Sequence, residues 1–189
     1  MDATIIVTAF GDQSWVDLAL ERAVPSAEAQ GVPVILSHGT SVASSRNGGA
    51  AKADTKWLIF LDADDELAPG YIDAMAQADG DLRAPSVSYV HHGLPDPPLS
   101  LADRDIRHLN PCVIGTAVRK TLFEQVGGFH DEPIYEDWAL WLRCVNAGAT
   151  IEHVPDAVYL AHVRDGSRNN AETNLRRRTY REIKARLAA

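Results

Sequence analysis

A short apolar run that ends in a cluster of carboxylates constrains this chain more than any other feature. Residues 57–61 read Trp-Leu-Ile-Phe-Leu and lead into Asp62, Asp64 and Asp65. Bulky apolar residues without alternation are typical of a strand that is buried on both faces, as in the middle of a parallel sheet. Open α/β sheets bind ligands at the carboxyl ends of their strands, so these acidic residues lie where a ligand is expected.

The acidic residues have two interpretations. Three carboxylates within four residues repel one another, and a bound cation would relieve that repulsion. Because carboxylate oxygens are ligands of hard divalent ions, we favour Mg²⁺ or Mn²⁺, shared with a diphosphate. The alternative is an acidic turn without a ligand, in which Asp62 or Asp64 caps the start of a helix.

Strands and helices alternate through the first half of the chain. Ser14 is expected to cap the first helix, Pro25 to kink or end it, and Pro69 to begin the third helix. Gly48 and Gly49 weaken the second helix and indicate that another group approaches it closely. The alternation predicts right-handed crossovers and a mostly parallel sheet. The predicted strands are 4–10, 32–36 and 57–61, and the predicted helices run from about 15 to 31, over 41–53 and over 70–78.

The second half changes character, with a long segment, 93–111, that is rich in proline and charge and has no regular pattern. Such loops are often functional, and this one is a candidate to close over substrates. Gly127 and Gly128 indicate a tight turn. The other predicted elements are strands over 87–91, 113–118, 150–154 and 157–163, and helices over 120–125, 136–146 and about 171–187.

Length and composition exclude several classes of protein. The 189 residues suffice for one domain with a real core. A net charge of -8 argues against a sequence-blind nucleic-acid binder. The two cysteines cannot form a disulfide framework, which indicates a reduced, cytoplasmic setting. No apolar run approaches the length of a membrane span, so we expect no transmembrane segment.

Taken together, these pieces resemble a small glycosyltransferase of family 2, which has the GT-A fold. The resemblance implies an α/β domain with a mixed, mostly parallel central sheet and helices on both faces. It also implies a nucleotide-sugar-binding half over about 1–80, an acceptor-binding half over about 81–170 and a basic C-terminal helix over about 171–189. The motifs that carry the resemblance lie, in family order, at 5–10, 43–49, 58–65, 127–129, 136–143 and 162–167.

The resemblance implies a donor site for a nucleoside diphosphate sugar. Asp62 would face the ribose, Asp64 would hold the metal ion, and Arg46 would lie near the nucleotide. His162 is the second metal ligand that we favour, with Arg164 as a partner of phosphate. The other residues placed around the donor are Thr8, Ala9, Phe10 and Ala63.

One departure from the family pattern leaves the donor base open. Family members usually carry an aspartate after the second strand, where this chain has Ser37-His38-Gly39. Asp12 and His38 are possible substitutes. Uridine, guanosine and thymidine donors all remain open.

The resemblance makes Asp137 the general base of an inverting hexose transfer to a hydroxyl acceptor. Its place in the first turn of a helix favours the ionised carboxylate, whereas the charge of Glu136 opposes it. Without the family context, Glu136 and Asp137 would be only two acidic residues in the first turn of a helix, where negative charge is favourable. Gly115, Glu136 and Trp138 are assigned to the acceptor region, although tryptophans at helical spacing are more often core.

Two other classes of protein stay open, as does the acceptor. One is a nucleotide-sugar-binding protein that has lost catalysis, and the other is a metal-dependent nucleotidyltransferase or phosphohydrolase. A glycan, a protein side chain, a lipid carrier and a modified base all offer hydroxyl groups. The arginine-rich tail is either a solvated helix face or a site for phosphate, an anionic acceptor or anionic lipid.

Overall fold

The computed structural model describes residues 1–164 and 173–187. Within these ranges eight strands form one sheet in the order β2-β1-β3-β7-β5-β8-β4, and β6 pairs with β5 beside this path. None of the described helices is both long and apolar enough to cross a bilayer. The strands are β1 (Ala3–Phe10), β2 (Val34–Gly39), β3 (Trp57–Asp62), β4 (Glu66–Leu67), β5 (Leu82–His91), β6 (Leu94–Pro95), β7 (Ala117–Arg119) and β8 (Ile151–His162).

The predicted sheet is confirmed as a mixed sheet whose long pairings are parallel. Strand β1 lies between β2 and β3 and runs parallel to both, so that Ile5 faces Val34 on one side and Ile59 on the other. The other long parallel pair is β5 with β8, whereas β7, β4 and β6 add short antiparallel pairs. Ile5 and Ile59 are fully buried, as expected for strands covered on both faces.

The first helix begins and continues differently from the prediction. It consists of α1 (Gln13–Leu18), a π-helical turn (Ala19–Ala23) and α2 (Val24–Glu28). Asp12, not Ser14, caps it, because the Asp12 carboxylate accepts from the Ser14 backbone N–H at 3.0 Å. Pro25 does not end the helix. It follows the π-helical turn and lies in the first turn of α2, where a missing N–H costs little.

The next two helices pack beside the parallel strands. Helix α3 (Val42–Ala50) starts at Ser41, whose hydroxyl accepts from the Ser44 N–H in a capping box. Helix α4 (Tyr71–Ala76) does not begin at Pro69 as predicted. Pro69 and Gly70 instead form a turn closed by the Tyr71 N–H on the Ala68 carbonyl, with Gly70 at a φ of 80° that favours glycine.

The two glycines of α3 differ in their surroundings, and this predicts opposite effects of alanine. A Cβ on Gly49 would overlap Cγ2 of Ile6 and lie 3.2 Å from Ser37 Cβ, whereas at Gly48 the nearest atom is 3.7 Å away. We expect Gly49→Ala to lower the free energy of unfolding by about 1–3 kcal/mol, as overpacking does. Gly48→Ala should raise it by about 0.4–1 kcal/mol because the unfolded chain loses freedom. Urea unfolding followed by circular dichroism measures both, and equal stabilities would contradict this account.

In the second half of the chain, several strands differ from the prediction. Strand β5 begins at Leu82 rather than at residue 87, and the strand predicted over 113–118 is reduced to β7, because residues 113–116 form a turn closed by the Thr116 N–H on the Val113 carbonyl. The strands predicted over 150–154 and 157–163 are the single strand β8. Residues 155–157 bulge out where the register passes from Val154 to Val158, since Pro155 has no N–H to give to the ladder.

Two of the remaining helices pack against each other. Helix α6 (Glu136–Asn146) buries Trp141 and Leu140, and α7 (Thr173–Leu187) lies against it, with the Tyr180 and Trp138 ring centres 5.2 Å apart. The predicted C-terminal helix is therefore present over the described part of 171–187, with Arg177, Arg178 and Arg181 exposed among others. Helix α5 (Lys120–Gln125) matches its predicted range.

Candidate active site

The carboxyl ends of β1 and β3 open into a cavity of about 680 Å³. One wall contains the acidic turn after β3, and a second wall contains the start of α6 and the segment before β7. Eleven of the residues predicted from the sequence line this cavity: Thr8, Ala9, Phe10, Arg46, Asp62, Ala63, Asp64, Glu136, Asp137, His162 and Arg164. The structure thus brings the predicted donor side and the predicted base into one space.

The acidic residues form a turn and not a helix start. The Asp65 N–H donates to the Asp62 carbonyl at 3.1 Å, and β4 follows directly at Glu66. The interpretation of Asp62 or Asp64 as a helix cap is therefore wrong. Burial and the neighbouring Asp62 raise the pKa of Asp64, and burial with Asp64 raises the pKa of Asp65 well above its usual range. The turn is thus a place where added positive charge is stabilising.

Different groups hold the carboxylates of the turn. Asp64 pairs with Arg164 at 3.2 Å, and its carbonyl accepts from Arg22 at 2.9 Å. Asp65 accepts from the Tyr159 hydroxyl and from the His162 backbone N–H, both at 2.8 Å. Strand β8 therefore supplies both of these partners of Asp65.

The fit of the turn to a divalent ion is partial. No group of three or more His, Cys, Asp or Glu side chains within 1–164 and 173–187 is arranged to hold a metal ion. The His162 imidazole, predicted as a ligand, lies 2.6 Å from Glu66 Oε2 and is therefore engaged away from Asp64. Asp64 itself faces the cavity, and Mg²⁺ commonly takes only one or two protein carboxylates together with substrate phosphates and water. The donor set fits that kind of shared site, in which Asp64 would be the protein ligand.

An aromatic and cationic surface borders the donor side of the cavity. The Phe10 and Trp15 rings stack at 6.2 Å with an interplanar angle of 13°. The Arg164 guanidinium lies 4.5 Å from the centre of the Trp15 ring. The Arg164 side chain is thereby held between an aromatic face and Asp64, with its charge directed at the cavity that both residues line.

Asp137 lies at the second wall, where three neighbours define its orientation and its protonation. Its carboxylate accepts from the Trp138 backbone N–H at 2.7 Å and from the Asn110 amide at 2.9 Å. Burial and the adjacent Glu136 raise the pKa of Asp137 to about 7. A carboxylate with such a pKa is suited to take up a proton near neutral pH.

Arg46 connects the two walls. One terminal nitrogen donates to Asp62 at 2.8 Å and the other donates to Glu136 at 2.9 Å. The residue is 2% exposed, and its guanidinium lies 4.9 Å from the centre of the Phe129 ring. Burial lowers the pKa of Arg46, but the carboxylates of Asp62 and Glu136 outweigh it and hold that pKa above its usual value.

Four predicted site residues lie outside the cavity lining. Asp12 is exposed and caps α1, and His38 is exposed with its imidazole 3.1 Å from the Gly11 carbonyl. Gly115 packs in the core, where its carbonyl accepts from Tyr71 at 2.7 Å. Trp138 is buried and donates to the Ile106 carbonyl at 2.7 Å, so it joins α6 to the irregular segment 93–111.

Sequence reasoning missed several residues that line the cavity. Asn110 and Arg104 belong to the irregular segment 93–111, and Tyr159 belongs to a strand assigned only by its apolar character. The one signal available was the long proline-rich loop, which indicated a functional segment without naming its polar residues. The sequence pattern predicts only that Trp15 begins a helix, whereas in the structure Trp15 also lines the cavity.

The fold and the cavity define a GT-A-like domain with an acidic turn at the donor side. A family model described as "Glycosyl transferase family 2" matches residues 16–123, which is more than half of the chain. The chain therefore belongs to glycosyl transferase family 2, and the resemblance inferred from the motifs is confirmed together with the assignment as a glycosyltransferase. No curated protein matches the chain.

Solved structures of S. aureus TarS share this fold. The structure of TarS 1–349 in complex with UDP-GlcNAc superposes with a TM-score of 0.70 at 14% identity, over 100% of this chain and 72% of that one. TarS 1–349 alone gives 0.64 at 15% identity, over 86% of this chain and 60% of that one. A longer TarS structure gives 0.64 at 16% identity, and only 37% of it is covered. The chain thus spans only part of these relatives.

Proposed function

We propose that the chain transfers a hexose from a nucleoside diphosphate sugar to a hydroxyl acceptor with inversion at the anomeric carbon. The observation that carries this proposal is the single cavity that Asp64 of the acidic turn and Asp137 of helix α6 both line. A UDP-sugar is the first donor to test, because TarS of the same fold was solved with UDP-GlcNAc.

Asp137 acts as the general base in this proposal. As the acceptor oxygen forms its bond to the anomeric carbon, the hydroxyl proton passes to the Asp137 carboxylate and the bond to the diphosphate breaks. Asn110 and the Trp138 N–H hold the carboxylate in a fixed orientation for that transfer. The nucleoside diphosphate leaves from the opposite side of the sugar, toward the acidic turn.

The donor side neutralises the leaving diphosphate. Arg164 is the side chain best placed to pair with phosphate oxygens, because its guanidinium is held at the cavity by Asp64 and Trp15. Mg²⁺ or Mn²⁺ bound through Asp64 would supply Lewis-acid stabilisation of the leaving group. The aromatic pair Phe10 and Trp15 offers a face on which a nucleotide base can stack.

The residues of the cavity favour this reaction over the alternatives. A catalytically inactive sugar-nucleotide binder would not need a buried carboxylate poised near neutral pH on the acceptor wall. A nucleotidyltransferase is not favoured by any contact in the cavity. The acceptor stays open among the hydroxyl compounds considered above, and the cytoplasmic setting stays a prediction from the cysteine content.

Calorimetric binding of UDP, GDP and dTDP, each with Mn²⁺ and with EDTA, tests the donor site. We expect UDP with Mn²⁺ to bind, and Asp64→Ala to weaken that binding about 10- to 100-fold, as the loss of a group at a metal site does. In EDTA the same change should not weaken binding, because it removes a negative charge next to the diphosphate.

Asp54→Ala serves as a control, since Asp54 is an exposed carboxylate outside the cavity lining. Failure of all three diphosphates to bind would contradict the donor proposal. Binding of UDP that depends on neither Mn²⁺ nor Asp64 would contradict the role of the metal alone.

A further inference from the structure

Helix α3 delivers Arg46 from a rigid support. The Ser37 hydroxyl donates to the Ser45 carbonyl and the Ser45 hydroxyl donates to the Ser37 carbonyl, both at 2.7 Å, so the helix is bonded to β2. Gly49 brings the same helix into contact with Ile6 of β1. The guanidinium of Arg46 therefore projects from a helix that is fixed to two strands of the sheet.

The two terminal nitrogens of Arg46 bond to carboxylates from different walls of the cavity. Asp62 ends β3 on the donor side, and Glu136 is the first residue of α6, directly before the base Asp137. A guanidinium is a planar, rigid fork, so two such bonds fix the separation of the groups that it joins. An ammonium group carries the same charge without that geometry.

Stability alone is a poor explanation for this arrangement. Replacing a buried ion pair with apolar residues is often neutral or stabilising, because the desolvation of the charges is costly. Arg46 also leaves its Nε buried without a hydrogen-bond partner in the described part of the chain, which adds to that cost. A costly contact between two walls of an active site is more readily explained by function.

From this geometry we infer that Arg46 is a positioning residue, which sets the distance and the charge balance between the donor side and the base-bearing helix α6. This role differs from the one that the resemblance implied, in which Arg46 lies near the nucleotide. The inference rests on the proposed function, since it assigns Arg46 a role in that reaction. Two charged groups face Asp137, Glu136 from α6 and Arg46 from α3. The segment before β7 adds Cys112 and Asn110. Arg104 of the same segment donates to the Asn110 carbonyl.

The sign of each effect on Asp137 follows from the charges. Glu136 raises the pKa of Asp137 and Arg46 lowers it. Arg46→Met should therefore move the titration of Asp137 to higher pH, and Glu136→Gln should move it to lower pH. In the double variant the two shifts should partly cancel. Arg46→Lys keeps the charge but not the fork, so it should leave the titration near that of the wild type.

Two readouts test the inference. Carbon-13 NMR of the Asp137 carboxyl group follows its titration directly, and hydrolysis of UDP-GlcNAc, with water as the acceptor, follows catalysis. We expect kcat to fall about 10- to 100-fold in both Arg46→Met and Arg46→Lys, as small displacements of catalytic groups do. UDP affinity, measured by calorimetry, should stay unchanged in both.

Arg83→Met is the matched control. Arg83 is also buried, but it bonds to the carbonyls of Met75 and Gly80 and stacks on Trp57, outside the cavity lining. It should change neither kcat nor the Asp137 titration. If Arg46→Met fails to fold, Arg46→Lys and Glu136→Gln carry the same comparison with smaller changes in the core.

The possible outcomes separate this inference from the proposed function. Weaker UDP binding in the Arg46 variants with an unshifted Asp137 titration would make Arg46 a nucleotide ligand and overturn the inference. If Arg83→Met lost as much kcat as the Arg46 variants, general destabilisation would explain the loss, and the inference would also be overturned. A wild-type protein that binds none of UDP, GDP and dTDP would contradict the proposed function, while the predicted NMR shifts would still support the linkage through Arg46.

Discussion

Asp137→Asn should reduce kcat for sugar transfer, or for hydrolysis of UDP-GlcNAc, by about 10²- to 10⁴-fold, the usual contribution of a general base. The amide has the shape of the carboxylate but cannot take up the acceptor proton. UDP affinity should be retained, because the acidic turn and Arg164 lie on the other wall of the cavity. Measurement of kcat together with calorimetric UDP binding separates the two effects.

Asp131→Asn is the matched control for that variant. Asp131 is an exposed carboxylate in the connection before α6 and accepts from the Ser41 hydroxyl at 2.7 Å. Its replacement by asparagine removes one negative charge, as Asp137→Asn does, but leaves Asp137 in place. It should keep wild-type activity. If Asp137→Asn retained more than about a tenth of kcat, another group would have to accept the proton.

Activity should also fall steeply on the acid side of neutral pH. The proposed base would work as an ionised carboxylate, and burial together with Glu136 raises the pKa of Asp137 to about 7. Below that pKa the carboxylate is protonated, so kcat/KM should decrease about tenfold for each further pH unit, or about 100-fold at pH 5. An ordinary exposed aspartate would keep the enzyme fully active at pH 5.

A profile of kcat/KM for UDP-GlcNAc from pH 5 to 9 at constant ionic strength measures this limb, since kcat/KM reports groups of the free enzyme. The residual activity of Asp137→Asn should show no limb near pH 7. Unfolding monitored over the same range excludes loss of structure as the cause. An acid limb at about pH 4 in the wild type would show that the carboxylate titrates like an exposed one.

Local patterns were sufficient to predict the parallel half of the fold. Residues 57–61 are uniformly apolar because β3 is covered on both faces, and the predicted strand differs from Trp57–Asp62 by one residue. Helix α6 was found as 136–146 because its buried residues recur at helical spacing and Gly148 follows it. In such elements the sequence pattern and the tertiary environment agree.

Other elements depend on contacts that no local pattern records. Strand β8 looked like two strands because its bulge interrupts the apolar run, and its continuity comes from pairing with β5. The short β7 is a strand only where it meets β3 and β5. In both cases distant partners, rather than local propensity, decide the structure.

The site shows the same division. The position of the acidic residues after a buried strand predicted that Asp62 and Asp64 lie at a binding site, and the family resemblance predicted the same for Asp137; all three line one cavity. Their partners could not be chosen from sequence, because His162 had several acidic neighbours available and took Glu66. Asn110 reaches Asp137 from an irregular loop, where spacing carries no structural information.

The dependence of the acidic turn on β8 has a consequence for how the protein acquires activity. Asp65 is held by Tyr159 and by His162, which are 94 and 97 residues further along the chain. Contacts between such distant residues form only after a large loss of chain entropy, and they tend to form slowly. The first 67 residues contain the acidic turn and the three parallel strands around it, yet the groups that hold Asp65 arrive only with the last strand. During synthesis, Asp65 therefore cannot gain these two partners until β8 has left the ribosome and docked.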